Sequence, residues 1–106
     1  MSKSSTTIGE DLLPNPHPGE ILLEEFLKPL ALSQNALARS LRVSSRRTNE
    51  VVLGKRQVTA DTDLRLARYF GLSEAYFLRL QADFELMAKR REIGAELDRI
   101  RPLTAA

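Results

Sequence analysis

The 106-residue chain has no cysteine, no tryptophan and a single histidine. The missing cysteine excludes disulfides and thiolate metal sites and agrees with a reducing compartment. His17 stands alone in a proline-flanked stretch, which is poor metal chemistry, and is expected to cap or pack near a helix start. The five glycines are scattered, so no phosphate-cradling loop is formed. Carboxylate pairs such as Glu24-Glu25 read as solvated charge rather than as an acid and a base. No enzyme, metal or cofactor is therefore expected. Long apolar runs are missing too: Ile21-Leu22-Leu23 is far short of the ~20 residues that cross a bilayer. The opening MSKSSTTIGEDLLPNP lacks the apolar centre of a secretion signal. A cytoplasmic protein away from the membrane is the expectation.

Aromatic residues are few and aliphatic ones plentiful, which suits a small helical core. The length fits one domain. Net charge is only +2, but it is unevenly spread. Ser33 to Arg56 carries Arg39, Arg42, Arg46, Arg47, Lys55 and Arg56 against Glu50, a local +5, while Glu10 to Leu32 carries −4. A concentrated basic block in a near-neutral protein points to an anionic partner, with nucleic acid the first candidate.

The apolar spacing is helical throughout, and no strand alternation is found. Residues 1–16, rich in Ser, Thr and Pro, read as a flexible arm. Pro18 suits the first position of a helix, with Leu22, Leu23, Phe26 and Leu27 as its buried stripe and Pro29 as its stop near Lys28. Ser33 caps a second helix, Gln34 to about Leu41, and Ser44 a third that ends at Gly54. Thr59 caps a fourth, closed by Gly71, and Ser73 is expected to cap a fifth with Phe77, Leu80, Phe84 and Met87 at helical spacing. Leu86, Ile93, Leu97 and Ile100 prolong that stripe. A helix to Arg101 with Pro102 as its stop is expected, weakened by Gly94. The stripe either joins a second copy or folds back on its own domain. The expected organisation is all-α: a five-helix DNA-binding domain over 17–88, and a C-terminal helical extension and tail over 89–106.

Helices two and three are short and joined by the tight turn Arg42-Val43, the signature of a helix-turn-helix. Ala38 supplies the small residue where the helices cross, and Leu37, Leu41, Val43 and Val51 lie beneath it. In this unit the second helix enters the DNA major groove, with its N-terminal residues at base edges. Thr48 and Val51 share the inward side of that helix, while Arg46, Asn49, Glu50 and Leu53 project roughly opposite. Base readout is expected from Ser45, Arg46, Arg47, Asn49 and Glu50. Arg46 is the choice for a bidentate pair with guanine, Arg47 would reach a base or a phosphate, and Asn49 and Glu50 would meet adenine and cytosine edges. Phosphate contacts are expected from Gln34 at the second helix N-terminus, and from Lys55 and Arg56.

Three blocks, "HPGEILLEEFLKPLALSQNALARSL", "RRTNEVVLGKRQVTADTDLRLARYFG" and "YFLRLQADFEL", make Pro16 to Leu86 resemble the HigA-type antitoxins. These are also called VapI-like or plasmid-maintenance antidote proteins and sit within the lambda-repressor-like helix-turn-helix superfamily. "HPGEIL", some sixteen residues ahead of "LSQNALA", is more specific to that family than the helix-turn-helix pattern. The resemblance implies a five-helix homodimer that binds double-stranded operator DNA, represses its own operon and neutralises a HigB toxin, a RelE-like ribonuclease acting on messenger RNA. A stand-alone repressor would read DNA identically; the block His17 to Leu22 favours the antitoxin. A protein-interaction module that has lost DNA binding is a third reading, opposed by the intact basic ends of helix three. Three positions depart from the pattern. Arg42 occupies a turn position where glycine is usual and a left-handed backbone is expected. Thr48 replaces a branched apolar residue, and Leu53 replaces a polar one.

Overall fold

The structure, a computed structural model, describes residues 13–104. Among them are five helices and no strand, as the periodicity predicts. The first, α1, is α-helical over Pro18–Ile21 and continues as a π-helical turn over Leu22–Leu27. Then follow α2 (Gln34–Leu41), α3 (Ser45–Val52), α4 (Ala60–Phe70) and α5 (Tyr76–Leu97). The π winding has a packing consequence. Residues five apart on an α-helix diverge by about 140°, yet Leu22 and Leu27 are both buried, at 1% and 2% exposure. Bonds from residue i to i+5, such as Lys28 N–H to Leu23 O at 3.0 Å, bring them round to one face.

Side-chain caps fix most helix starts. Ser33 Oγ accepts from Ala36 N, Ser44 Oγ from Arg47 N and Thr59 Oγ1 from Thr62 N, and each ties down an amide that the helix itself leaves unpaired. His17 caps α1: its Nδ1 accepts from the amides of Gly19 (3.1 Å) and Glu20 (3.3 Å). The C-terminus of α2 is left-handed at Arg42 (φ 63°, ψ 42°), and Val43 N–H returns to Ala38 O at 3.0 Å. This closure usually employs glycine.

The fifth helix corrects the expected cap. Ser73 makes no side-chain cap, and the residue preceding α5 is Ala75, itself left-handed at φ 76°. The amides are instead turned onto the carboxylate of Asp63, 1% exposed. Asp63 accepts from Ala75 N (2.6 Å), Phe77 N (2.8 Å) and Leu78 N (3.0 Å). Asp63 thus serves two helices, lying in the first turn of α4 and capping α5. The end of α5 also differs. The helix runs unbroken through residues 88 and 89, kinks at Ile93 (φ −115°, ψ 20°) beside Gly94, and ends at Leu97 rather than Arg101. Arg99 N and Ile100 N then close three-residue turns on Glu96 O and Leu97 O.

The core joins Leu22, Leu27, Leu37, Leu41, Val51, Val52, Val58, Leu66 and Phe77. Phe26 packs in tilted and edge-to-face contacts against Phe70, Tyr76 and Phe77 at centroid distances of 4.9, 6.0 and 5.5 Å. Past this core most of the α5 stripe stays exposed: Leu86, Leu97 and Ile100 are 57%, 43% and 68% exposed, while Ile93 at the kink is half-buried. The end of the expected flexible arm lies against α5. Asn15 Nδ2 donates to Phe84 O at 3.0 Å, and Arg91 Nη2 donates to Leu13 O at 2.6 Å. Residues 1–12 of that arm lie outside the described residues.

Thr48, 4% exposed, has its hydroxyl buried with no hydrogen-bond partner, beside a cavity of about 10 Å³ at the lower limit for one water. Three stability outcomes follow from this architecture, each read by thermal unfolding. Arg42→Gly relieves the left-handed strain and raises stability by about 1 kcal/mol, which is roughly 5 °C in a domain of this size. Thr48→Val keeps the shape, removes the stranded hydroxyl and gains about 1 kcal/mol. Asp63→Ala strands three amides and loses about 3 kcal/mol.

Candidate nucleic-acid interface

The seating of α3 decides what its outer face presents. Val51 and Val52, 3% and 5% exposed, anchor it in the core. Its C-terminal turn lies directly against α1. A Cβ added to Gly19 would stand 1.9 Å from Val51 O and 2.8 Å from Val52 Cα, so the two backbones touch where only glycine fits. One turn on, Gly54 adopts φ +78°, and the His17 imidazole fills the space beside it. Gln81 on α5 accepts from Val58 N at 3.1 Å and donates to Glu85 at 2.8 Å. That bond pins the α3–α4 loop, which carries Lys55 and Arg56.

On this frame the outward face of α3 comes out as its spacing implies. Ser45 and Leu53 are exposed, and Asn49 and Glu50 are half-buried beside them. The Arg46 side chain is 85% exposed. Lys55 and Arg56 follow on the loop, also exposed. Gln34 occupies the first position of α2, half-buried behind the Ser33 cap.

Two residues behave otherwise than their spacing suggests. Arg47 turns towards α4, where its Nη2 donates to Asp61 Oδ1 (2.5 Å) and Thr62 Oγ1 (2.8 Å), leaving the side chain 26% exposed. The same Asp61 oxygen accepts from Arg65 Nε at 2.7 Å, and Arg65 Nη1 donates to Leu41 O, the C-terminal carbonyl of α2. A chain of charge-assisted bonds therefore links α3, α4 and α2. The Arg65 and Arg47 guanidiniums hold the Asp61 carboxyl below its ordinary range. Glu50 is held between two arginines. Oε2 accepts from Arg46 Nε at 3.0 Å, and Oε1 accepts from Arg56 Nε at 3.0 Å and Nη2 at 2.7 Å. These bonds, that with Arg56 foremost, hold the Glu50 carboxyl below its usual range.

The ties that Asp61, Arg65 and Gln81 make between elements were not read from the sequence. Each residue also has an i,i+4 bond that helical spacing marks, but its bond to another element, Arg47 to Asp61, Arg65 to Leu41 or Gln81 to Val58, spans at least 14 positions, and no local spacing rule marks such a pair. Among the described residues no group of three or more His, Asp or Glu is placed to hold a metal ion, and no helix is long and apolar enough to cross a membrane.

Known proteins resemble this chain in sequence and fold. Virulence-associated protein I of Dichelobacter nodosus is 50% identical over 82 residues, 77% of this chain and 76% of that protein. The structure of Pseudomonas aeruginosa antitoxin HigA with the higBA promoter superposes with a TM-score of 0.78 at 38% identity, covering 85% of this chain and 99% of that one. Antitoxin GraA in complex with its operator gives 0.79 at 35% identity, over 88% and 95% of the two chains. No family model matches the chain. Half of the 82 aligned positions are shared with the Dichelobacter protein and the HigA fold is matched over nearly its whole length, so this chain belongs to the HigA-type, VapI-like family of helix-turn-helix antitoxins.

Proposed function

We propose that this protein is an autorepressing antitoxin of the cytoplasm, not an enzyme. It binds operator DNA as a homodimer and neutralises a HigB/RelE-like ribonuclease encoded beside it. The observation that carries the DNA reading is the Arg46 side chain, 85% exposed on a helix whose opposite side is locked into the core. The relatives with promoter or operator DNA support it. A rigid helix with an exposed cationic face fits the major groove, and two such helices about 34 Å apart engage successive turns of one face. The apolar stripe at Leu86, Leu97 and Ile100, left exposed by the fold, supports the homodimer.

Within this reading Arg46 pairs with guanine, Ser45 and Asn49 contact neighbouring edges, and Lys55, Arg56 and the Gln34 amide position the phosphates. Arg47 has its charge engaged by Asp61 and Thr62, so it holds α3 to α4 and approaches the backbone rather than a base.

Arg46→Ala is expected to remove about 1–3 kcal/mol of discrimination between operator and random duplex. Lys55→Ala is expected to weaken both alike and lower the salt slope by about one unit. Titrations of both duplexes at several salt concentrations separate the two effects. Equal weakening of both duplexes by Arg46→Ala would remove it as a base reader. Co-purification from the native operon tests the antitoxin role: recovery without a small toxin leaves a stand-alone repressor.

A further inference from the structure

The arrangement of Glu50 points to a role apart from direct base contact. A carboxylate on a groove-facing helix repels phosphate and lowers affinity for every duplex. It therefore needs a reason to be there. Its side chain is 24% exposed, and both its oxygens are engaged. On the Arg46 side it uses only the Nε–H. A guanidinium has five N–H donors in a planar fork, and a bond at Nε leaves the Nη1 and Nη2 edge, the edge that pairs with guanine O6 and N7, pointing onward. A partner at Nη would have blocked that edge.

We infer that Glu50 is a positioning residue for operator recognition, a buttress that fixes the Arg46 guanidinium with its outer edge presented to guanine and restrains Arg56 from indiscriminate phosphate binding. This rests on α3 being the DNA-reading helix and deepens that reading. Fixing a long side chain beforehand lowers the ordering cost on binding the right base, and the carboxylate penalises sites where no guanine repays it. The Arg56 and Arg46 guanidiniums hold the Glu50 carboxyl below its ordinary range, so the buttress stays charged further into acid than a free glutamate would.

The test is selection of bound sites from a randomised duplex pool by the full-length wild type, Arg46→Ala, Glu50→Gln and the double variant, with thermal melts to confirm folding. Glu50 lies on the surface side of α3, and its backbone carbonyl, which accepts from Lys55 N and Arg56 N, is unchanged in the glutamine variant. Wild type is expected to select a guanine at one position of each half-site. Arg46→Ala flattens that column. Glu50→Gln flattens the same column by about tenfold, within the range of one bidentate pair, and adds nothing in the double variant. Binding to random duplex tightens and its salt slope steepens by about one unit as Arg56 is released. A purely structural residue would weaken all binding without choosing a column. If Glu50→Gln leaves the Arg46 column intact, or flattens a different one, the buttress is overturned while α3 remains the reader. If wild type selects no sequence at all, the reading of α3 fails and takes the buttress with it.

Discussion

The contact on which the rest depends is the meeting of two backbones at Gly19 and Val51. A helix of eight residues such as α3 has little stability of its own, because short helices are marginal in water. Its orientation must come from what it leans on. Here α1 presents a position without a side chain, and the α3 carbonyl occupies the place a Cβ would take. Once the backbones touch, α3 cannot slide or roll without a clash or a gap. The neighbouring residues serve that contact. His17 caps α1 so that Gly19 sits at its start, Pro18 occupies the first helical position, and the imidazole ring fills the space beside Gly54 at the far end of α3. "HPG" is therefore the cradle of α3, though it lies nearly thirty residues ahead of it.

The second constraint is electrostatic and lies behind the helices. Asp63 is almost wholly buried, yet all its charge is met by three amides at the start of α5. A buried carboxylate is tolerable only with such satisfaction. The arrangement sets α5 against α4 in one geometry. Gln81, a turn further on, then reaches the α3–α4 loop. Through Asp63 and Gln81, α5 determines where Lys55 and Arg56 stand, and the Arg47–Asp61–Arg65 chain ties α3 to α4 and α2. Distant polar pairs thus fix the outer face that the apolar core only roughly orients.

This division explains what could be read in advance. Helix starts at Pro18, Ser33, Ser44 and Thr59, and the left-handed turn at Arg42, follow from interactions within four or five residues, which spacing and residue type reveal. The cap of α5 did not: Ser73 has the right chemistry, but Ala75 turns left-handed and Asp63, some twelve positions upstream, is the acceptor. The outer face of α3 was legible because 100° per residue fixes which side chains share it. Helical phase also set Arg46 apart for presentation, but the pairing of Arg47 with Asp61 and of Arg56 with Glu50 was not legible, because it depends on which carboxylates the fold brings against them.

The pairing also changes the meaning of the basic block. Counted along the chain it carries six cations, but Glu50 neutralises one from within, leaving +5, and Asp61 pairs with another from outside. Fewer cations than the count suggests are left to neutralise phosphates, so non-specific affinity, which grows with that number, is held down. Specific affinity depends less on the count, because one oriented arginine at the right base supplies discrimination that loose cations do not. The sign with pH follows from the lowered carboxyls of Glu50 and Asp61. Their pairings contribute fully above the ordinary carboxylate range and are lost as pH falls through the depressed folded values, where the arginines would be released towards any phosphate. At neutral pH the same carboxylates keep these arginines paired. A repressor that must find one site among many random ones has more to gain from that restraint than from a larger positive field.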